Sequence, residues 1–222
     1  MTGTVIIACS VLQDELDMVF EELGYSFPCI WIPQGLHNTP ELLREKLQEI
    51  LDSISHAGRI ILCMGYCGNA VLGLKNGSCE LVMPKVEDCI TLLLGSQERR
   101  RKMTEEEGTY FLTKGWIQGG RTIWNEYEHL KMRCGAVRAV RLLREMMKNY
   151  SRLVILDTGA YKISEVRGEA EKTADILALR CQTAEGTVEY LKELVSGPWP
   201  EQRFLIVPAG MTVTEEALTD AP

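Results

Sequence analysis

Short apolar runs alternate with amphipathic segments along most of this chain, and this alternation limits the possible fold more than any other feature. The runs TVIIAC (residues 4–9), PCIWIP (28–33) and RIILCMG (59–65) are rich in β-branched and other apolar residues, which is typical of buried strands. Residues 12–23, between the first two runs, carry apolar side chains at helical spacing. Because strands that alternate with helices form parallel sheets covered by helices, the sequence predicts an α/β fold.

The second half of the chain repeats this pattern. RLVILDTGAY (152–161) and RFLIVPAG (203–210) read as buried strands that end in turns, and residues 125–149 carry a long helical pattern that Gly135 interrupts. Two similar halves predict two Rossmann-like lobes with mainly parallel sheets and a cleft between them, with one large sheet as the alternative. We expect residues 1–97 to form a lobe with a cysteine site, 98–120 a connecting segment, 121–210 a second α/β lobe and 211–222 a mobile tail.

The balance of charged residues argues against one class of binding partner. The chain has a formal net charge of −7, which argues against nonspecific nucleic-acid binding, since that requires a basic surface. Its one dense basic run, residues 99–102, is closely followed by the acidic residues 105–107, so it reads as a solvated helix face, with a local anion site as the other interpretation.

The lengths of the apolar runs and the number of cysteines indicate the cellular compartment in which the protein is expected. No stretch approaches the roughly 20 apolar residues that cross a membrane, and the N-terminus lacks the basic leader of a signal peptide. We therefore expect a cytoplasmic protein without a membrane partner. Disulfides are rare in that compartment, so the eight cysteines should be reduced thiols.

Three cysteines follow strand-like runs that are far apart in the chain. Cys9 ends TVIIAC, Cys67 comes shortly after RIILCMG, and Cys89 follows ELVMPKVED. Ligand sites in α/β sheets form at the carboxyl ends of the strands, so these thiols are expected to converge at one edge. Thiolates are soft ligands suited to zinc or iron–sulfur clusters, which predicts a metal site. The competing interpretation is that each is a small packing residue.

The setting of Cys67 strengthens the functional interpretation. It lies in Gly65-Tyr66-Cys67-Gly68-Asn69, where flanking glycines, Gly68 among them, let the backbone turn sharply and approach a ligand. A cysteine at a strand-to-helix turn is also near a helix N-terminus, which favours the thiolate. By contrast, Cys63 lies within a strand, and Cys29, Cys79 and Cys181 have no motif around them, so we assign these four to packing.

Several other side chains near strand ends are candidates for substrate binding or catalysis. His37 is a candidate fourth ligand or general acid/base because imidazole titrates near neutrality, although a lone loop histidine is commonly a surface residue. Asp157 ends a strand and is a candidate acid/base or a turn-forming aspartate. Ser96 after Gly95 either caps a helix or presents amides to an anion. The turns with Thr113, Trp116 and Tyr161 are expected to close over a ligand.

Common motifs of several enzyme classes are missing from the sequence. It contains no G-x-x-x-x-G-K-[ST], no G-x-G-x-x-G after the first strand, no G-x-S-x-G, no H-E-x-x-H and no C-x-x-C pair. This argues against a P-loop NTPase, a dehydrogenase, a serine hydrolase, a zincin and a zinc ribbon.

A series of motifs resembles an uncharacterised prokaryotic family, domain of unknown function 1638, over about residues 4–210. These motifs are IACSVLQDEL, LHNTPELL, GYCGNAVLGL, PKVEDCITLLLGS, GTYFLTKGW, RLVILDTGAY and FLIVPAG. The resemblance implies shared functional residues at Cys9, Cys67, Cys89, His37, Gly95, Ser96, Trp116 and Asp157. It also implies an association with corrinoid-dependent methyl transfer in one-carbon metabolism.

Together these features predict a metal-dependent enzyme, a lyase or a methyltransferase, or an accessory protein that binds a small anionic substrate. A [4Fe–4S] cluster on Cys9, Cys67 and Cys89 is the preferred cofactor, since three thiolates leave one position open for substrate. Zn²⁺, with His37 completing its shell, is the alternative. A different class of function is a non-catalytic module that binds a small ligand, a corrinoid or a methyltransferase partner.

Overall fold

The protein is described by a computed structural model that covers residues 3–219. In this range the chain forms eight strands and ten helices. In chain order these are β1 (Gly3–Cys9), α1 (Gln13–Leu23), β2 (Cys29–Ile32), α2 (Pro40–Ser53), β3 (Ala57–Cys63), β4 (Glu80–Pro84), α3 (Cys89–Leu94), α4 (Gln97–Glu106), β5 (Thr109–Leu112), α5 (Lys114–Gln118), α6 (Ile123–Cys134), α7 (Ala136–Met146), β6 (Arg152–Asp157), α8 (Ser164–Leu177), β7 (Arg180–Glu185), α9 (Glu189–Ser196), β8 (Phe204–Val207) and α10 (Glu215–Thr219).

The first sheet has five strands in the order β2–β1–β3–β4–β8. Its first four strands are parallel, and β8 pairs antiparallel with β4. The apolar runs of β1 and β3 are buried on both faces; Ile6, Ile7, Ile60 and Ile61 are at most 1% exposed. Helices on both faces of a parallel sheet produce this continuous burial. The predicted α/β fold is confirmed.

The second sheet is parallel and has three strands in the order β5–β6–β7. Its central strand, β6, alternates between two cores, as the period of two of a strand requires. Leu153 and Ile155 pack in a core with residues of α8, whereas Val154 and Leu156 join the core of the first sheet. The two sheets therefore share a packed interface along one face of β6.

The chain returns to the first sheet after the second one is complete. The expected lobe of residues 121–210 differs from the structure here, because β8 hydrogen-bonds to β4 and α9 packs beside β3 and β4. The apolar run FLIV covers the edge of β4 that would otherwise be open. The expected connecting segment, 98–120, also contains β5, a full member of the second sheet.

The expected mobile tail, 211–222, is also partly ordered. Val213 and Leu218 are buried, and the Val213 N–H donates to the carbonyl of Leu74 at 2.9 Å. These contacts fix this segment on the first lobe; residues 220–222 lie outside the described residues. None of the helices within residues 3–219 combines the length and apolar composition that a membrane span requires.

Candidate functional site

The three cysteines Cys9, Cys67 and Cys89 meet at the carboxyl edge of the first sheet. Cys9 is the last residue of β1, Cys67 lies in the turn after β3, and Cys89 is the first residue of α3, after β4. Because β1, β3 and β4 are parallel neighbours, their carboxyl ends lie side by side. The convergence expected from the sequence follows from this strand order.

Backbone contacts hold the turn after β3 against the segment after β4. The N–H of Tyr66 donates to the carbonyl of Val86, and the N–H of Cys67 donates to the carbonyl of Glu87, both at 2.9 Å. Gly65 permits this approach, since a Cβ at that position would lie 2.5 Å from the backbone nitrogen of Asp88. Cys67 itself has φ +47°, a left-handed conformation that is rare for residues other than glycine.

Asp88 and Gly95 fix the two ends of the helix that carries Cys89. The Asp88 carboxylate accepts hydrogen bonds from the Thr91 N–H at 2.7 Å and from the Thr91 hydroxyl at 2.8 Å. Gly95 ends α3 in a left-handed conformation at φ +81°. The cap at Asp88 fixes the backbone at the start of α3, and this sets the direction of the side chain of Cys89, the next residue.

The pKa values of Cys89 and Cys9 are shifted in opposite directions by their interaction with each other. Hydrogen bonding to Cys67 and to Cys9, together with burial, raises the pKa of Cys89 well above its usual value. The hydrogen bond from Cys89 lowers the pKa of Cys9, helped by the Val11 N–H and opposed by burial. Cys89 therefore stays protonated, and Cys9 ionises more easily than Cys89.

The arrangement of the thiols differs from that of a formed metal centre. Within residues 3–219, no group of three or more His, Cys, Asp or Glu side chains is arranged to hold a metal ion. The donor chemistry of three thiols suits zinc or an iron–sulfur cluster. The three thiols are therefore suitable metal ligands by their chemistry, but their side chains are not now in positions that would hold a metal.

The thiols line a cavity of about 360 Å³ between the two sheets. Cys9, Cys67, Gly68 and Cys89 belong to its first-lobe wall. The second lobe contributes an aromatic wall, which consists of Tyr110, Phe111, Trp116 and Tyr150. This volume is at the lower end of the range of small-molecule sites.

His37 also lines this cavity. Its ring lies against Trp116, with the ring centroids 5.3 Å apart. Burial and the nearby Arg121 guanidinium lower the pKa of His37, whereas Asp88 opposes this shift. The imidazole is therefore neutral at pH 7, the form that binds metal or accepts a proton.

The other predicted substrate-binding residues have structural contacts outside the cavity. Ser96 caps α4 by accepting a hydrogen bond from the Arg99 N–H at 3.1 Å, and Thr113 caps α5 by accepting one from the Trp116 N–H at 3.3 Å. Gly95 ends α3, and the buried Tyr161 hydroxyl donates to the carbonyl of Leu156. These four residues are not among those that line this cavity, and their predicted role in substrate binding stays a prediction.

Asp157 lies apart from the thiols, at the carboxyl end of β6. It is exposed and borders a separate groove formed by the ends of β6 and β7. Its carboxylate accepts a hydrogen bond from the Gly159 N–H at 3.2 Å, which is the contact of a turn-forming aspartate. Asp157 is therefore not brought into the cavity that the thiols line, and its predicted catalytic role stays a prediction.

The cysteines assigned to packing are not among the residues that line the cavity. Burial raises the pKa of Cys63, of Cys29 and of Cys181. The Cys79 thiol is buried and donates to the carbonyl of Ala57 at 2.9 Å. All eight cysteines of the chain are free thiols.

Two charged residues near the site had no clear signal in the sequence. Arg100, from the basic run of residues 99–102, has its side chain at the cavity, although the run as a whole resembles a solvated helix face. Glu15, four residues after Val11, is fully buried, and the hydroxyl of Thr158 in the second lobe donates to its Oε1 at 3.0 Å. In the sequence, the position of Glu15 in the first turn of α1 indicates only a carboxylate at the start of a helix.

The comparison with known families gives one match. The model of a family described as "protein of unknown function (DUF1638)" matches residues 31–195. No curated protein and no solved structure matches the chain.

Proposed function

Because the chain belongs to this DUF1638 family of proteins of unknown function, we propose its function from the site itself: Cys9, Cys67 and Cys89 bind a soft metal centre that acts on a small anionic substrate. The observation that carries the proposal is the set of three thiols, delivered by three separate elements to the wall of one cavity. A [4Fe–4S] cluster is the preferred centre and Zn²⁺ the alternative, since both favour thiolate ligands.

The way in which the thiols are delivered supports a role beyond packing. A packing cysteine needs no special backbone, yet Cys67 is held in a left-handed conformation by two inter-segment hydrogen bonds. Strained backbone persists where the surrounding structure enforces it, and it is concentrated at functional sites. Cys29, Cys63, Cys79, Cys89, Cys134 and Cys181 all have negative φ, so this feature is specific to Cys67.

Loading of the site requires two changes in the chain. The Cys89 thiol, which is now held protonated, would have to lose its proton, and the side chains would have to rotate toward a common point. The lowered pKa of Cys9 makes it available as a thiolate to an incoming cation before Cys89 is. A bound centre of this kind would supply a Lewis acid beside the neutral imidazole of His37.

The cavity size favours a small substrate over a large cofactor. A space of about 360 Å³ suits a small organic molecule and is too small to enclose a corrin macrocycle. For the proposed role in corrinoid-dependent methyl transfer, the corrinoid would therefore have to be carried by a partner protein. Eight free thiols agree with the cytoplasm as the proposed location.

Metal analysis of protein purified without oxygen tests this function. We expect near-stoichiometric zinc, or iron with broad visible absorbance, and loss of most of it in Cys9→Ser, Cys67→Ser and Cys89→Ser. Cys181→Ser is the matched control, because Cys181 is a half-buried thiol of β7 in the second sheet. Equal loss in Cys181→Ser, or no metal in wild-type protein after reconstitution, would contradict the proposal.

A non-catalytic binding module is the second candidate. It is favoured by the present arrangement of the thiols, which hydrogen-bond to one another and have no metal-holding geometry among the described residues. In that case the chelator-treated wild-type protein and the three serine variants should bind a small ligand with the same affinity, which calorimetry measures.

A further inference from the structure

We propose that Arg100 is the anion-binding residue of the cavity and that the ligand is a monocarboxylate with an aromatic or apolar body. This inference rests on the proposed function only in placing a substrate in the same cavity, and it does not depend on a metal. Arg100 belongs to α4, the helix that connects the two sheets, and its side chain is 23% exposed.

The Arg100 guanidinium is held in a fixed plane. It stacks on the ring of Phe111, 4.5 Å from the ring centroid, and its Nη1 donates to the Thr104 hydroxyl at 2.6 Å. A guanidinium fixed in this way loses little conformational entropy when a ligand binds, because its rotamer is already selected.

The positive charge of Arg100 is only loosely compensated. The Oδ2 atom of Asp88 lies 3.5 Å from Nη2, beyond the roughly 2.7–2.9 Å of a charge-assisted hydrogen bond. The other carboxylate oxygen, Oδ1, is occupied by the cap of α3. The buried Nε of Arg100 has no hydrogen-bond partner among residues 3–219. Nε is therefore an unpartnered donor and Nη2 a weakly paired one, and a planar oxyanion that replaced Asp88 at Nη2 would satisfy both.

Two other stacked arginines show what a purely structural role looks like. Arg59 stacks on Trp199 and Arg203 on Tyr190, at 4.5 and 4.1 Å from the ring centroids. Each also has a short ion pair, Arg59 with Glu80 at 2.6 Å and Arg203 with Glu193 at 2.9 Å. Arg100 has the same kind of stack and lacks the short ion pair, and it is the one of the three that lines the cavity.

The rest of the cavity specifies the body of the ligand. Tyr110, Phe111 and Tyr150 form an aromatic wall, and the buried indole nitrogen of Trp116 is a further donor without a partner in the described chain. Glu87 and Asp88 also line the cavity, so Arg100 offsets their repulsion for one ligand carboxylate, whereas a second negative group would meet like charge without a paired cation. A ligand with one carboxylate on an aromatic or apolar body is therefore complementary to the side chains that line this cavity.

Benzoate and the neutral benzamide are the probes for this proposal. Binding is measured by ligand-detected NMR on full-length protein treated with a chelator, so that no metal takes part. We expect saturable binding of benzoate, weaker binding of benzamide, and a loss of benzoate affinity of roughly tenfold or more in Arg100→Gln. Arg101→Gln is the control, since Arg101 is the next residue of the same helix, with its side chain exposed and 3.8 Å from Glu105.

The outcomes separate this inference from the metal proposal. Benzoate binding that is unchanged in Arg100→Gln, with a melting temperature like that of wild type, overturns the role of Arg100. Equal affinity for benzoate and benzamide, or no saturable binding of benzoate to wild-type protein, overturns the carboxylate class. Metal content, measured on Arg100→Gln protein before the chelator treatment, should equal that of wild type, so a failure of the metal site is seen independently.

Discussion

At the scale of single residues, the hydrogen bond between Cys89 and Cys9 should control thiol reactivity. Replacing Cys89 by Ala removes the donor that lowers the pKa of Cys9, so Cys9 should ionise at higher pH. We expect its alkylation by iodoacetamide near pH 7 to slow, because a smaller fraction of the thiol is then ionised. Peptide mass spectrometry across pH measures the rate at Cys9, and Cys89→Ser, which keeps a donor, should retain most of it. A midpoint for Cys9 that is identical in wild type and Cys89→Ala would contradict this account.

Also at this scale, the sequence predicted part of the site and missed the rest for physical reasons. Cys9, Cys67 and Cys89 were predictable as a group because each follows a strand, and parallel strands place such residues at one edge. Arg100 and Glu15 were missed because their environment comes from the other lobe: Phe111 stacks on Arg100, and Thr158 contacts Glu15. Ser96 and Thr113 were overestimated because a helix cap and an anion site share one local pattern.

At the scale of elements, the turn after β3 should not tolerate a side chain at Gly65. A Cβ there would lie 2.5 Å from the backbone of Asp88, and backbone cannot move aside as a flexible side chain does. Gly65→Ala should therefore break the Cys67–Glu87 hydrogen bond and destabilise the protein by about 2–4 kcal/mol. Gly77→Ala, in the same β3–β4 connection with no atom within 4 Å of its Cβ, should change stability by about 0.5 kcal/mol or less. Urea unfolding compares the two variants, and equal losses would show that the contact at Gly65 is unimportant.

The strands show which features of the fold the local sequence pattern predicts and which it does not. The runs that became β1, β3, β4 and β6 are buried by helices or by the other sheet, so their apolar composition predicted them. Strand β7 has the sequence RCQTAE and lies largely exposed at the edge of the second sheet, so it carries no apolar run. The antiparallel β8 was predicted as a strand, but its partner was not, because pairing with β4 is a contact between residues more than 100 positions apart.

At the scale of the whole molecule, Glu15 links the contact between the two lobes to pH. Burial raises the pKa of Glu15 to about 7, whereas an unfolded glutamate has a pKa of about 4.3. The folded protein thus holds this proton more tightly, and its stability should fall by about 3 kcal/mol as pH rises from about 4 to 7 and then stay level. Glu15→Gln keeps the acceptor for Thr158 but not the charge, so the variant should equal wild type near pH 4 and be more stable at pH 8. Denaturant unfolding of both proteins across this range measures the difference, in which all other titrating groups cancel. Parallel stability curves would show that the Glu15 carboxylate is accommodated in the folded protein without cost.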